Sequence, residues 1–500
     1  GEDGSMELSG PPLHMDREYQ TLLTPQAVTF VVNLVKHFDY QVSETDLDDG
    51  HCPTWGNQLR GLYNVHQFVH GNMPGVPNMS NAPLVILRPR AWNMLEHNMM
   101  VDGKVIPGAL FDFGLHIFHN GRKMLEQGDG PFLYLPKLES HLEVRLWNDV
   151  FSWAEEHLGL PFGCIKACVL IESILASFEL EQILFEIRDH CAGLNCGMWD
   201  YSASFVNTFG HRNDFILPDR KKYVSMDKQY LKSYLELVIK TCHAHGCHAT
   251  GGMVPIVLPH SDPQKSQQII QNVYRAESFQ ASRPYPDFQQ CIALYYCNNL
   301  IMCLQIGFLI HLWYFEDVEA NHPIRQPASC TETRCTSECQ RPFDFTTGTS
   351  TRVVFIQVGN LRYRVTVTGG FTLDGLRNNI TVGILFIQSW LKGDGSFILN
   401  GCVEDSATAE ISRSQIWQAI RHQCVLENDG RKVTRALVSN QVQTLVAQLT
   451  NTKAKSPAER QQLQLAAQLL QELVLARDFP QFITTYLYEN HVFIRSSTYM

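Results

Sequence analysis

The sequence predicts an α/β fold in which a parallel sheet or barrel is preceded by helices and followed by a helical region. Between residues 83 and 260, short apolar runs alternate with helical stretches, a pattern typical of parallel strands joined by helices. In the final third of the chain, apolar residues recur at helical spacing. The chain has 500 residues, of which 44% are hydrophobic and 18% charged, so it can bury a large core.

The charge and cysteine content argue against several classes of protein. The 40 basic and 50 acidic side chains give a net charge of −10, which makes the chain a poor general binder of nucleic acid or anionic membranes. An anionic substrate would therefore need a local cluster of Arg or Lys, or a metal ion. The 15 cysteines are scattered and odd in number, which favours reduced thiols over a disulfide framework.

The first clear element is a helix that begins near Thr24. Thr24 suits the N-cap and Pro25 the first helical position, and the apolar side chains that follow recur every three or four residues up to Phe38. The next elements are five predicted strands and a helix between two of them. The strands are expected at residues 82–92, 130–140, 163–173, 193–201 and 247–259, and the helix at 174–190.

The stretch from 275 to 365 is the least regular part of the sequence. Residues 291–315 hold no Asp, Glu, Lys or Arg and are long enough to span a bilayer. Four polar side chains interrupt this run, and each would be costly in lipid, so a membrane span is the less favoured interpretation. Residues 350–370 have the pattern of a β-strand, and the remainder of the chain is predicted to be helical.

Two carboxylates end two of the predicted strands, Glu172 in VLIE and Asp200 in GMWD. They lie about one strand–helix–strand unit apart, and in an α/β barrel such strand ends meet at one mouth. Paired carboxylates suit a hard cation such as Mg²⁺, which keeps water or substrate oxygens as its other ligands. The alternative is a pair of ordinary acids that cap helices or pair with Arg.

Two further segments carry candidate residues. Arg88 and Arg90 lie near the end of an earlier predicted strand, where an Arg could bind a carboxylate or stabilise developing negative charge. A surface ion pair is an equally good interpretation of either residue. Glu404 and Asp405 precede a predicted helix, and Asp405 could act as a general base at a domain junction or simply cap that helix.

Other motifs give weaker signals. The Cys- and His-rich stretch 242–248 has the composition of a zinc site, but its spacing matches no standard finger. The sequence contains no P-loop, no strand-borne GxGxxG and no GxSxG. Nucleotide-loop and serine-hydrolase assignments therefore lack support.

The segment RDHCAGLNCGMWDYSASF (188–205) resembles the signature segment of the malate synthase family. GPFLYLPKLESHLEVRLWNDVF (130–151) and VEDSATAEISRSQIWQAIRH (403–422) are similar to the short, A-type isoform of that family. The resemblance covers residues 20–260 and 370–490, which is most of the chain, and motifs of this length are highly specific.

The resemblance implies a (β/α)₈ TIM-type barrel with an N-terminal helical segment and a C-terminal helical plug. It divides the chain into the N-terminal helical segment with the first strand region (1–80), the barrel (81–350) and the C-terminal helical domain (351–500). The family is an acyltransferase family that uses Mg²⁺ to condense acetyl-CoA with glyoxylate, and it hydrolyses the product to malate and CoA. The expected partners are these two small molecules and no nucleic acid.

The resemblance also assigns roles to individual residues. Glu172 and Asp200 match the metal ligands, Arg88 matches the catalytic arginine, and Asp405 matches the catalytic base. Asp405 would take a proton from the acetyl-CoA methyl group while Arg88 offsets the charge of the enolate. Mg²⁺ would polarise the glyoxylate aldehyde.

Substrate contacts are expected from the backbone around Gly193, Leu194 and Asn195 and from Trp199. Asp48, or its neighbour in DLDDGHCPTW, lies where the family has a supporting acid.

The sequence departs from the family between residues 275 and 350. An uncharged run and a Cys-rich loop stand where the family has a further strand motif, so the seventh and eighth barrel strands are affected. A gene-model error is favoured over a rebuilt barrel because the flanking matches are so close. Ala91 and Asn93 also stand where the family has Gly and His.

An active malate synthase is the leading hypothesis. The alternatives are a catalytically impaired relative that acts as a CoA-binding or interaction protein, and a different acyl-CoA lyase on a similar barrel. All four matched catalytic positions survive, which favours activity. Many eukaryotic relatives are peroxisomal or glyoxysomal, so this location is expected. Residues 497–500 are not a Ser-Lys-Leu-type signal, which leaves the cytoplasm or the mitochondrion as alternatives.

Overall fold

The computed structural model supports a description of eleven parts of the chain. These are residues 6–38, 52–76, 78–79, 84–225, 228–251, 264–265, 267–268, 311–313, 351–358, 361–479 and 482–492. Several sequence-based expectations lie outside these residues. They concern Asp48, most of the predicted strand 247–259, the uncharged run apart from 311–313, and the seventh and eighth strands of the barrel.

The strands and helices are numbered in chain order. The strands are β1 (Met6–Leu8), β2 (Leu84–Ile86), β3 (Leu95–Val101), β4 (Lys104–Pro107), β5 (Phe132–Leu135), β6 (Lys166–Ile171), β7 (Cys191–Cys196), β8 (His248–Thr250), β9 (His311–Trp313), β10 (Thr351–Val358), β11 (Leu361–Thr368), β12 (Phe397–Leu399) and β13 (Cys402–Glu404). The helices are α1 (Asp16–Leu22), α2 (Pro25–Phe38), α3 (Trp55–Val69), α4 (Gly108–Gln127), α5 (His141–Leu158), α6 (Leu180–Ile187), α7 (Met198–Phe209), α8 (Arg220–Tyr223), α9 (Gln229–Ala244), α10 (Leu373–Leu391), α11 (Ser406–Arg421), α12 (Arg435–Lys453), α13 (Pro457–Leu475) and α14 (Ile483–Leu487).

A parallel sheet of β5, β6, β7 and β8 forms the centre of the described structure. The strands lie side by side in chain order, with Leu133 opposite Ala167 and Leu194 opposite Ala249. A parallel bridge from Leu87 to Leu133 extends this order to the chain just after β2. Helices α5 and α6 connect successive strands, so the alternation read from the sequence corresponds to real crossover units.

The strands are shorter than the apolar runs that predicted them, and one difference affects the site. The run 193–201 was expected to be a strand that ends at Asp200. The strand instead ends at Cys196, and α7 begins at Met198, so Asp200 lies in the first turn of a helix. An acid in the first turn faces the partial positive charge of the helix N-terminus, which makes this position favourable for a carboxylate.

The N-terminal part of the chain contains a small antiparallel sheet that the sequence analysis did not anticipate. Strand β3 pairs with β1 on one side and with β4 on the other. The turn between β3 and β4 is Asp102–Gly103, and both residues have positive φ. An Asp-Gly pair with this geometry is a strong hairpin signal that was available in the sequence.

The described residues form two main hydrophobic cores. The larger core joins the N-terminal helices to the outer face of the parallel sheet, and the second is built mainly from α10 to α14. Helix α11 connects the two regions through buried glutamines. Gln418 accepts a hydrogen bond from the Leu217 N–H and donates one to the Phe215 carbonyl, and Gln415 donates to the Pro218 carbonyl. Such satisfied polar contacts fix α11 against the segment that follows α7.

Strands β10 and β11 pair as an antiparallel hairpin within the region expected to be mainly helical. This hairpin corresponds to the strand-like pattern at 350–370. Within the described residues, no helix combines the length and hydropathy that a membrane crossing requires.

Candidate active site

Four charged side chains meet at the C-terminal ends of neighbouring strands. Arg88 follows β2, Lys137 follows β5, Glu172 follows β6 and Asp200 follows β7. The predicted parallel arrangement thus brings together three of the residues chosen from the sequence, along with a lysine that was not chosen. The C-terminal ends of barrel strands are where active sites are built in this architecture.

The carboxylates of Glu172 and Asp200 converge on Gly197. Glu172 is 1% exposed, and its Oε1 accepts a hydrogen bond of 2.7 Å from the backbone N–H of Lys137. A Cβ placed on Gly197 would lie 3.3 Å from Glu172 Oε2 and 3.8 Å from Asp200 Oδ2. One oxygen of each carboxylate therefore faces the same small volume.

Lys137 completes this group of charges. Its Nζ lies 2.6 Å from Asp200 Oδ1 and 4.0 Å from Glu172 Oε2. Its backbone has a φ of 57°, in the left-handed region that non-glycine residues seldom occupy. Lys137 was not among the site residues predicted from the sequence, although it lies in the LPKLES motif. A lysine directly after a buried strand was the signal that could have identified it.

The surroundings of Asp200 disfavour the charged form of its carboxyl group. Burial raises the pKa of Asp200 to about 7, and the Glu172 carboxylate acts in the same direction, while the Lys137 ammonium opposes both. Two carboxylates packed together in a buried place favour uptake of a proton or a cation. A cation bound next to Glu172 and Asp200 would therefore be electrostatically favoured.

These residues could hold a small divalent cation. Glu172 Oε2 is buried and has no hydrogen-bond partner among the residues that the structure describes. Carboxylate oxygens are the ligands that Mg²⁺ prefers, and Mg²⁺ is commonly held by one or two protein carboxylates with water or substrate supplying the rest. The donor chemistry, the convergence on Gly197 and the unsatisfied oxygen all fit such an ion.

The two candidate arginines have different environments. The Arg88 Nη2 lies 3.9 Å from Glu172 Oε1, and its Cζ lies 6.0 Å from the centre of the Tyr134 ring. Arg90 is buried away from this group and forms a two-bond pair with Asp112, with both N–O distances 2.9 Å. Arg90 thus forms an ion pair, but the pair is buried and not at the surface as the alternative interpretation expected, whereas Arg88 faces the carboxylates.

Asp405 is the N-cap of α11. Its Oδ1 accepts hydrogen bonds from the backbone N–H groups of Ala407 and Thr408, at 3.0 and 3.4 Å. The capping role that the sequence analysis gave as the alternative is therefore present. It holds the carboxylate in a defined orientation and is compatible with a role as a base.

Arg220 connects the neighbourhood of Asp405 to that of Asp200. Its Nη2 lies 3.8 Å from the carboxylate of Glu404, next to Asp405, and Asp405 also interacts with its charge. On the other side, its Cζ lies 5.1 Å from the centre of the Trp199 ring, next to Asp200. A buried guanidinium between a carboxylate and an aromatic face is a favourable contact, and here it joins the C-terminal region to the barrel edge.

The other residues expected to contact substrate lie within or beside β7. Leu194 is fully buried in the core, and Gly193 packs against the backbone of His248. The Asn195 amide donates hydrogen bonds to Thr250 Oγ1 and the Gly251 carbonyl, so its donors are used within the sheet. Trp199 lies against Arg220, as described above.

The Cys- and His-rich stretch 242–248 ends α9 and enters β8. In the described parts of the chain, no group of three or more His, Cys, Asp or Glu side chains is arranged to hold a metal ion. The Glu172–Asp200 pair would therefore supply two protein ligands and leave further positions for water or substrate.

Comparison with known proteins gives two family matches. The model described as "Malate synthase, TIM barrel domain" matches residues 84–283, and "Malate synthase, C-terminal" matches residues 371–491. The segment between the two matches contains most of the stretch that departs from the family pattern.

Three curated relatives are similar to the chain over nearly its full length. A malate synthase of Myxococcus xanthus is 35% identical over 98% of this chain and 82% of its own length. Malate synthase A of Escherichia coli is 30% identical, over 96% and 85%. A glyoxysomal malate synthase of Brassica napus is 31% identical, over 97% and 82%.

Proposed function

Since the chain belongs to the malate synthase family, we propose that it condenses acetyl-CoA with glyoxylate in a Mg²⁺-dependent reaction and hydrolyses the product to malate and CoA. It would thus be an acyltransferase in which the acyl group becomes an alkyl group on transfer. The observation that carries this proposal is the convergence of Glu172 and Asp200 beside Arg88 at one edge of the parallel sheet.

Glu172 and Asp200 are the residues that would hold Mg²⁺. When bound, the ion would polarise the aldehyde of glyoxylate as a Lewis acid. Lys137 would support this arrangement through its backbone N–H, which orients Glu172 Oε1. A carboxylate with one oxygen held by a hydrogen bond presents its other oxygen in a fixed direction, which improves the geometry of the site.

Asp405 would remove a proton from the methyl group of acetyl-CoA. Its hydrogen bonds to the α11 N-terminus fix the side chain, so little conformational entropy is lost when the base is oriented for the reaction. The methyl group is a very weak acid, and the enolate oxygen must be stabilised as the proton leaves. Arg88, with a side chain that is 12% exposed, would offset that negative charge in surroundings where water screens it little.

A direct assay tests this proposal. Release of the CoA thiol from acetyl-CoA would be measured with and without glyoxylate and with and without Mg²⁺. Thiol release that needs both additions, with malate as the product, is the expected result. CoA binding without glyoxylate-dependent turnover would instead support the catalytically impaired relative. Acyl-CoA cleavage that does not consume glyoxylate would support a different lyase.

We also propose a peroxisomal or glyoxysomal location for the protein. The support is its similarity to relatives that carry the glyoxysomal name, including the protein from Brassica napus. Imaging of the tagged protein beside a peroxisomal marker tests this, and a cytoplasmic or mitochondrial pattern would contradict it.

A further inference from the structure

The Lys137 ammonium lies beside two buried carboxylates that favour a cation. It is 2.6 Å from Asp200 Oδ1 and 4.0 Å from Glu172 Oε2, between the two carboxylates assigned to the metal. We propose that the Lys137 ammonium is the cation that neutralises and positions the two carboxylates of the metal-free site, and that its charge competes with Mg²⁺ for them. This inference rests on the metal site of the proposed function and adds a competing charge to it.

The backbone and the side chain of Lys137 act on different carboxylates. The backbone N–H holds Glu172 Oε1 at 2.7 Å, while the ammonium holds Asp200. The left-handed backbone at Lys137 is the conformation in which both contacts are made. Strained backbone of this kind persists where the surrounding structure requires it, and such positions are concentrated at functional sites.

The charges of the group explain how the Lys137 ammonium stabilises the metal-free site. Glu172 and Asp200 carry two negative charges in a buried place, and Arg88 Nη2 lies 3.9 Å from Glu172 Oε1. Without Lys137, the uncompensated carboxylates would repel each other, and burying them would be costly. With Lys137, the described charges of this group are formally balanced before any metal enters.

The same balance predicts competition. A divalent ion that enters between Glu172 and Asp200 must overcome the positive charge of the Lys137 ammonium, which lies on Asp200 Oδ1 while Asp200 Oδ2 faces Gly197. Lys137 Nζ also lies 5.7 Å from the centre of the Phe482 ring, and this ring provides a face that favours a cation. Phe482 is fixed beside Ile483, whose N–H donates to the buried Glu410. The Phe482 ring therefore favours the ammonium in its position beside the two carboxylates.

The experiment compares Mg²⁺ binding, without substrates, to the full-length chain and to Lys137→Met by isothermal titration calorimetry. Lys137→Met keeps the length of the side chain and removes its charge. We expect Mg²⁺ to bind at least about tenfold more tightly to this variant, since the competing cation is gone. We also expect the metal-free variant to melt at a lower temperature than the parent, and Mg²⁺ to restore more of the difference than it adds to the parent.

Lys166→Met is the matched control. Lys166 begins β6, at the opposite end of the strand from Glu172, and its Nζ donates to the Asp189 carbonyl. This variant should bind Mg²⁺ with the affinity of the parent. Equal or weaker binding by Lys137→Met, relative to the parent, would overturn the inference while leaving the metal site intact.

Failure of the parent to bind Mg²⁺ would instead remove the metal site, and with it both proposals. If Lys137→Met does not fold without metal, Lys137→Gln takes its place, because its amide can still donate to Asp200 without carrying charge. Tighter binding by Lys137→Gln supports the competing role, and unchanged or weaker binding contradicts it.

Discussion

Gly197 lies directly against the carboxylate side chain of Glu172. A Cβ on Gly197 would stand 3.2 Å from the Glu172 Cβ and 3.3 Å from its Oε2. Separations in this range are tighter than ordinary van der Waals contact, so the absence of a side chain at Gly197 leaves room for the Glu172 carboxylate. The turn between β7 and α7 thus helps to shape the candidate metal site.

Replacing Gly197 by Ala should weaken Mg²⁺ binding about two- to tenfold, because Glu172 must move by a few tenths of an ångström to admit the methyl group. Calorimetric titration with Mg²⁺ measures this directly. Gly10→Ala is the control, since a Cβ at Gly10 meets nothing within 4 Å. Equal affinities in the two variants would show that the close approach of Gly197 to Glu172 does not matter for the metal.

Replacing Asp405 by Asn should lower kcat by a factor of at least about 10², the contribution typical of a positioned base, and leave binding of Mg²⁺ and glyoxylate unchanged. Asn caps helices nearly as well as Asp, so α11 should keep its N-terminus and the variant should unfold at the same urea concentration as the parent. Steady-state kinetics and a urea titration check the two parts. Near-normal turnover by Asp405→Asn would show that another group is the base.

The buried side chain of His116 should make the stability of the protein depend on pH. This effect does not involve the candidate active site. His116 is 1% exposed, and its Nδ1 accepts a hydrogen bond from Asn120 Nδ2 at 3.1 Å. Burial lowers the pKa of His116 to about 4, with a smaller contribution from His119 in the same direction. The unfolded chain takes up a proton near the ordinary value for His, whereas the folded chain does so only near 4.

The stability contributed by neutral His116 is therefore present above the unfolded pKa and is lost as the pH falls toward 4. The loss attributable to this residue is on the order of 3 kcal/mol across that range. His116→Gln removes the titrating group, so the free energy of unfolding of this variant should fall less steeply between pH 6.5 and 4 than that of the parent. Urea titrations at several pH values measure both slopes, and parallel curves would contradict the assignment.

Much of the fold and part of the site could be predicted from local sequence. The apolar spacing after Pro25 predicted a helix, and α2 spans Pro25–Phe38. The α/β barrel class is confirmed by the match to the family's barrel model over residues 84–283. Glu172 and Asp200 were chosen because acids near the C-terminal ends of parallel strands meet at one edge of the sheet, although Asp200 lies in the first turn of α7 and not at the end of β7.

What the sequence could not decide were contacts between segments far apart in the chain. Arg88 and Arg90 could not be distinguished from the sequence, yet Arg88 faces Glu172 and Arg90 is buried against Asp112. The placement of Lys137 on Asp200 had no signal beyond its position after a strand.

Apolar spacing in the sequence predicted the alternation of strands and helices between residues 83 and 260, because it reports which face of each element is buried. The family was indicated separately, by long motifs such as RDHCAGLNCGMWDYSASF. Which charged side chains contact each other depends on the tertiary structure. A distance of a few ångströms between two side chains depends on how whole strands and helices pack, and no local pattern encodes that packing.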